Sequence, residues 1–480
     1  MRNIKNVNRM ALTLVTMCSL VGCATKQNDK PSVRPDMPVY EKNGTFRLGN
    51  WGVPPRENTG YGVYADNPNY STLENWQTMA NCGYNLVVPT NGFSVQDNLH
   101  ELEMAEKVGL NLLIRDRTTY GFETIINYCV SKGYNYRQCF DYVSSVGESI
   151  KANIEQYKQY KSFIGVNAFD EPSTDYYDAI AACQDWFYIN YPTYEFYTNL
   201  LPVYATGKQL FGTSSNKGYG YEDYVSQYRE NVNPAMLSYD HYPILIDYDE
   251  SLYIKEDFLY NLHVFAQQAK KAKVPANIYI QTMGFFNNAP ITTYEEFAWQ
   301  VYTSLAFGVK GILTFMYWTQ LQEESLNNVR HGIVERDGTK NEIYDAVQEV
   351  FGNITKMEDV YMNYDWDGVK LLESGRVLNE QFEMINRSTT LEKLNDISTV
   401  KNSQDIVIGQ FKNKSNEYAY MVTNVASPWD HETSKTELKF DNYDFVMTIE
   451  KGERKIVDLK NHILTLDIKC GDGIFVVPVK

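Results

Sequence analysis

The chain has 480 residues, 43% of them apolar, and 60 Asp and Glu against 44 Lys and Arg give a net charge of −16. That length can bury more than one core, so at least two domains are expected, and an acidic chain without a basic run excludes nucleic acid as a partner. Seven cysteines with no C-x-x-C spacing and no histidine nearby give no zinc site.

In chain order, MRNIKNVNRM carries three positive charges and no acid, and the apolar run Ala11 to Leu20 is too short to span a bilayer. This pattern reads as an export signal over residues 1–22. Its end, Leu20-Val21-Gly22-Cys23, resembles the lipobox of bacterial lipoproteins. The resemblance implies lipidation of Cys23 and anchoring to the bacterial cell envelope, with the outer membrane as expected location and the lipid as the only membrane contact. An ordinary secretory signal with Cys23 as a free thiol is the alternative. Loss of residues 1–22 removes Arg2, Lys5 and Arg9 and no acid, which moves the charge from −16 to −19. Residues 23–41, rich in Lys, Gln, Asn, Asp, Pro and Ser, read as a flexible tether. Of the later cysteines, Cys129 and Cys139 either pair across a loop in an oxidising compartment or stay as buried thiols.

Over residues 42–357, short apolar runs alternate with helical patterns. Eight runs read as strands: FRLGNWG (46–52), NLVVPT (85–90), NLLIRD (111–116), FIGVNAF (163–169), YEFYTNLLP (194–202), AMLSYDHYP (235–243), NIYIQTMG (277–284) and GILTFMYW (311–318). Between them apolar residues recur every three or four positions, as at Val143, Val146, Ile150 and Ile154, and several such segments end at a glycine. Eight strand-then-helix units predict a (β/α)8 TIM barrel, with the last helix over Glu342 to about Lys356. Residues 358–480 change to period-two runs separated by turn residues, which predicts a C-terminal antiparallel β-sandwich. YDWDG (364–368) starts like a calcium loop but lacks its closing acid, so it reads as a turn.

In such a barrel the C-terminal strand ends carry the chemistry. They offer Asn50 and Trp51, Asn91, Arg115 and Asp116, Asp170 and Glu171, Asn199, then Asp240, His241 and Tyr242, Gln281 and Thr282, and finally Tyr317 and Trp318. Carboxylates and amides bind hydroxyls, and aromatic rings stack on sugar C–H faces, so a carbohydrate substrate is expected, with Trp318 as the sugar platform.

DEP on the fourth strand, SYDHYP on the sixth, an aromatic-Trp pair on the eighth and a sandwich ending in GDGIFVV resemble the clan A glycoside hydrolases, such as the family 42 β-galactosidases. By that resemblance Glu171 is the general acid/base of a hydrolase cleaving an O-glycosidic bond in an oligo- or polysaccharide. Asp170 stands where the clan keeps an asparagine. The clan's nucleophile, a glutamate on the seventh strand, is replaced by Gln281, and an amide cannot form the glycosyl ester.

Three repairs remain open. Asp240 is the first candidate for the second carboxylate, giving an inverting mechanism if a water fits between it and Glu171, and Glu323 or Glu324 is the other. Alternatively, the Asp170-Glu171 pair resembles hexosaminidases and MLSYD resembles the Met-x-Tyr-Asp of chitinases, which implies catalysis assisted by the substrate's N-acetyl group. The third is a non-catalytic glycan-binding surface protein. Tyr242, Asn199, Gln281, Arg115, His241, Tyr317 and Trp51 complete the expected binding set; no metal or organic cofactor is implied, and oligomeric state is not legible. Each residue also has a plain structural reading: Glu171 on the dipole of the next helix, Asp240 and His241 closing a turn, Arg115 neutralising Asp116. Strand alternation places Asn167, Phe169 and Glu171 on one face and Asp170 on the other.

Overall fold

The computed structural model describes residues 45–57, 68–89, 94–319, 331–375 and 379–479. The export signal, Cys23, the whole tether, Asn91, Glu323 and Glu324 lie outside them. Among the described residues, no helix is long and apolar enough to cross a membrane.

All eight expected barrel strands form: β1 (Arg47–Trp51), β2 (Leu86–Val88), β3 (Asn111–Ile114), β4 (Phe163–Asp170), β5 (Glu195–Asn199), β6 (Leu237–Asp240), β7 (Ala276–Gln281) and β8 (Gly311–Phe315). They pair in parallel in the order β5-β4-β3-β2-β1-β8-β7-β6. The ring closes between β5 and β6 at one bridge, Leu200 to Tyr239, with the Leu200 amide donating to Ser238 O at 2.8 Å. A parallel ring buries both faces of its strands. Leu86, Val88, Leu113, Tyr197, Tyr279 and Leu313 fill the interior, while Leu48, Val87, Leu112, Ile278 and Ile312 pack outward. The helices stop where the sequence places glycine; Gly109, at φ 77°, ends the helix Val95–Val108 in the left-handed region that a Cβ disfavours.

Alternation fails in β4. Opposite β5 the register runs Asn167 to Tyr197 and then Phe169 to Thr198, so Ala168 is an unpaired extra residue. The bulge turns Phe169 outward onto Tyr176, with ring centroids 4.8 Å apart, and Asp170 inward. The expected facing of these residues is therefore reversed, because one inserted residue inverts the parity of all that follow.

The C-terminal region is a two-sheet antiparallel sandwich. Its strands are β9 (Tyr364–Leu372), β10 (Ile397–Asn402), β11 (Ile406–Asn413), β12 (Tyr418–Asn424), β13 (Ser434–Phe440), β14 (Phe445–Glu450), β15 (Glu453–Asp458), β16 (Ile463–Ile468) and β17 (Gly473–Val479). One sheet runs β9-β11-β12-β17-β14-β15 and the other β10-β13-β16, around a core including Ile408, Val422, Leu438 and Val476. YDWDG is not a turn: it opens β9, and its irregularity is a bulge between Trp366 and Gly368. The last barrel helix also outruns its expected end, spanning Ile343–Tyr361, because Met357 and Tyr361 continue its buried face.

The sandwich seats on the barrel helix Tyr294–Ala306. A Cβ at Gly409 would lie 2.0 Å from Ala306 O, so only glycine admits that approach. Trp429 Nε1 donates to Glu296 Oε1 at 2.8 Å and Tyr294 OH to Asp472 Oδ1 at 2.9 Å. The five described cysteines Cys82, Cys129, Cys139, Cys183 and Cys470 are buried free thiols, so Cys129 and Cys139 are not bridged.

Candidate active site

The bulge in β4 and the end of β6 bring three carboxyl groups to one side of the barrel mouth. Asp170, Glu171 and Asp240 all line a cavity of about 460 Å³. Glu171 sits at φ 51°, a region that costs a non-glycine residue roughly 1 kcal/mol or more, and its amide is held there by donation to Asn199 O at 2.9 Å. That backbone turn sends the side chain back over the cavity. Glu171 does not serve as a helix cap: the segment Thr174–Tyr176 that follows has no side-chain cap, and Asp175 instead accepts from Thr213 N at 2.9 Å.

Asn199, at the end of β5, joins the acids. Its Nδ2 donates to Asp240 Oδ1 at 2.9 Å, and its Oδ1 accepts from Ser238 Oγ at 3.0 Å. Asn199 also favours the charged form of Asp170. Glu171 lies close enough to Asp240 that its charge raises the proton affinity of Asp240. Both carboxyls face the same cavity, as the expected pairing of Glu171 with Asp240 requires.

Proximity of carboxyl groups has a proton cost. Burial is the first cause that raises Asp240 well above the usual carboxylate range, followed by the charges of Glu171 and Asp170. Burial likewise raises Asp170, against the lowering pull of the Arg115 guanidinium. Glu171 is pushed up to about 7, first by loss of hydration and then by the charge of Asp170. Glu171 is nonetheless an exposed residue at the cavity mouth, where solvent screens part of this effect. The three acids titrate as a unit that keeps a proton at neutral pH.

The other walls are aromatic: Trp51, Tyr204, Tyr242, Phe285, Phe286 and Phe315. Trp51 is held by the edge of Tyr279 at 5.8 Å and by the Arg115 guanidinium 4.9 Å from its ring centroid. Phe315 ends β8 and leans on Tyr242 and Phe285, with centroids 5.5 and 5.4 Å away. The peptide after it, Phe315–Met316, is cis.

Of the residues expected at the site, Trp51, Asp170, Glu171, Asn199, Asp240 and Tyr242 gather around this cavity. Five do not. Trp318 is 3% exposed and packs on Tyr70 at 5.3 Å, and Tyr317 is fully buried against Tyr84. β8 ends at Phe315, so these two lie past the rim and turn into the packing; the aromatic wall is Phe315. Gln281 is fully buried, and its amide is used up by backbone: Oε1 accepts from Ile244 N at 3.0 Å, and Nε2 donates to Ile244 O and Ala289 O. It ties loops together and reaches no sugar. His241 stands behind the wall, its Nε2 2.8 Å from Asp257 Oδ1 and its ring between Tyr204 and Phe258. Arg115 pairs with Glu123 at 3.0 Å, not with Asp116, and backs Trp51 from outside the cavity. Asp116 instead accepts from Tyr157 OH at 2.9 Å.

Sequence reading missed Tyr204, Lys255, Phe285 and Phe286. They come from the loops after β5, β6 and β7, where barrel enzymes keep variable side chains; GFFNN directly after a strand end was the available signal. Among the described residues, no group of three or more His, Cys, Asp or Glu is arranged to hold a metal ion.

No protein-family model matches the chain, and no curated protein matches it. Among solved structures it is similar to a family 39 glycoside hydrolase from the gut symbiont Bacteroides cellulosilyticus, at 13% identity and TM-score 0.45, over 93% of this chain and 83% of that one. It is also similar to a glucosidase from Croceicoccus marinus, at 13% identity and TM-score 0.39, over 93% and 98% of the two chains. A β-galactosidase from a psychrophilic Marinomonas is similar at 11% identity and TM-score 0.43, over 66% of this chain and 62% of that one.

Proposed function

We propose that the chain is a glycoside hydrolase cleaving an O-glycosidic bond in an oligo- or polysaccharide, with Glu171 as general acid. One observation carries this reading. A carboxyl raised to about 7 protrudes into an aromatic-walled cavity of about 460 Å³ at the C-terminal mouth of a barrel. At neutral pH such a group delivers a proton to the departing glycosidic oxygen, while Asp240 and Asp170 set its proton affinity and Asn199 fixes their positions. Proton donation of this kind contributes about 10²- to 10⁴-fold. Glu171→Gln should lower sugar release from a responsive glycan by about that factor with unchanged fold; full activity would refute the assignment.

A second reading is favoured by the grouping of the acids. Asp170, Glu171 and Asp240 stand together, and no other acid among the described residues lines the cavity. An attacking group must then come from water or from the substrate. In the substrate-assisted form, the acetamido oxygen attacks the anomeric carbon as Glu171 protonates the leaving oxygen, and water later opens the oxazoline. Aryl 2-acetamido-2-deoxyglycosides compared with their 2-hydroxy counterparts test this, because only the former react by that route.

For residues 1–41 the proposal remains export and lipid anchoring through Cys23. Cys23→Ala should release the protein from the envelope fraction.

A further inference from the structure

The cavity holds one cation among its described lining residues, Lys255, and no step above uses it. Lys255 follows a hairpin, Ile244–Ile246 paired with Leu252–Ile254, that rises from the end of β6, and its amide donates to Pro243 O at 2.8 Å. The hairpin therefore fixes the backbone of Lys255 beside the mouth. Its ammonium lies 3.5 Å from the centroid of the Tyr204 ring, a cation–π contact that sets its direction.

The ammonium is ion-paired with Asp257 Oδ2 at 3.7 Å, longer than an ordinary hydrogen bond. That carboxylate is already engaged by His241 at 2.8 Å. Lys255 is three-quarters buried at its side chain and shares Asp257 with His241 as its counter-charge. The cavity thus holds three acids and an oriented ammonium whose one paired carboxylate is shared and distant, which leaves donor capacity to spare. An anionic substituent would give this ammonium a closer counter-charge of its own, which a neutral sugar hydroxyl does not supply.

We propose that the cavity takes an acidic glycan, in which a sugar carboxylate or sulfate is bound by Lys255 while the same sugar lies against the aromatic wall. This deepens the hydrolase reading and rests on it for what happens after binding. Lys255 is a specificity-determining residue that touches substrate away from the scissile bond.

The test uses the full chain carrying Glu171→Gln, so that glycans stay intact, on an array of uronate-bearing, sulfated and neutral oligosaccharides matched in backbone, followed by calorimetry on the retained ones. At least one anionic glycan should bind tenfold or more tighter than its neutral counterpart, with affinity falling as salt rises. Lys255→Met, which keeps the stem over Tyr204, should abolish the preference, and Lys255→Arg should retain part of it. Retention of uronates alone or of sulfated sugars alone identifies the anion. Equal binding of neutral counterparts, a preference that survives Lys255→Met, or retention of no anionic glycan would each overturn the proposal. Binding with this preference but no sugar release by the unmutated chain would leave it standing and end the hydrolase reading instead.

Discussion

Glu171, at the end of β4, and Asp240, at the end of β6 two strands away around the ring, line one cavity, and the charge of Glu171 raises the proton affinity of Asp240. Neighbouring like charges disfavour double ionisation, so a proton is retained among them. Asp170 adds a third charge that raises Glu171 further. Asp170→Asn removes that charge. The alkaline limb of the activity profile, which in the native chain follows loss of the proton near pH 7, should move to lower pH. A pH series of kcat/KM on the two proteins checks this, and an unmoved limb would show that Asp170 does not act on Glu171 electrostatically.

The same shift acts on stability. The folded chain holds the Glu171 proton up to about pH 7, whereas the unfolded chain releases it near the ordinary 4.5. Between those values the native state binds more protons, so its contribution is full below about 4.5 and is lost as pH rises through 7. Thermal melts should show the native chain losing Tm over that window relative to Glu171→Gln, which does not titrate. Parallel curves would contradict the raised proton affinity.

Gln281 occupies the strand end where a nucleophilic glutamate was expected, yet Gln281→Glu should not create one. It replaces the Nε2 donations to Ile244 O and Ala289 O with a carboxylate facing two carbonyls in a fully buried site. The loss should be about 2 to 4 kcal/mol of stability, read as a lower denaturant midpoint, with no gain in turnover. A stable, faster variant would place this side chain in the cavity after all.

Phe286 is half exposed at the cavity edge, so its removal should spare the fold. Phe286→Ala should raise KM about 2- to 10-fold through lost ring stacking, with kcat little changed, as expected for binding shared by ground and transition states.

Most of the architecture was legible because eight apolar runs and their intervening helical periods are local signals. The site was legible only in part, for reasons that are not local. The facing of Asp170 depended on one unpaired residue, Ala168, whose existence is a matter of register with β5, and that of Glu171 on a left-handed backbone turn. The role of Gln281 depended on Ile244 and Ala289, loop backbones that only the fold brings to it. Tyr317 and Trp318 were placed by continuing β8 three residues too far. β9 and β10 went unread for a related reason: YDWDG has turn composition, and Ile397–Asn402 is only weakly apolar, with Ile397 its one buried residue.

The single bridge that closes the barrel also has a dynamic meaning. Seven of the eight joints in the ring are ladders of two or more residue pairs, whereas β5 meets β6 through Leu200 and Tyr239 and through side chains, Asn199 to Asp240 and Ser238, and Tyr197 OH to Ser238 Oγ at 2.5 Å. The acidic cluster is therefore mounted across the joint with the fewest backbone bonds, and its own hydrogen bonds are part of what keeps the ring shut. Amide exchange at Leu200 should be faster than at the inner strands and should slow when a ligand bridges the acids, so that occupancy of the cavity and closure of the barrel are a single equilibrium.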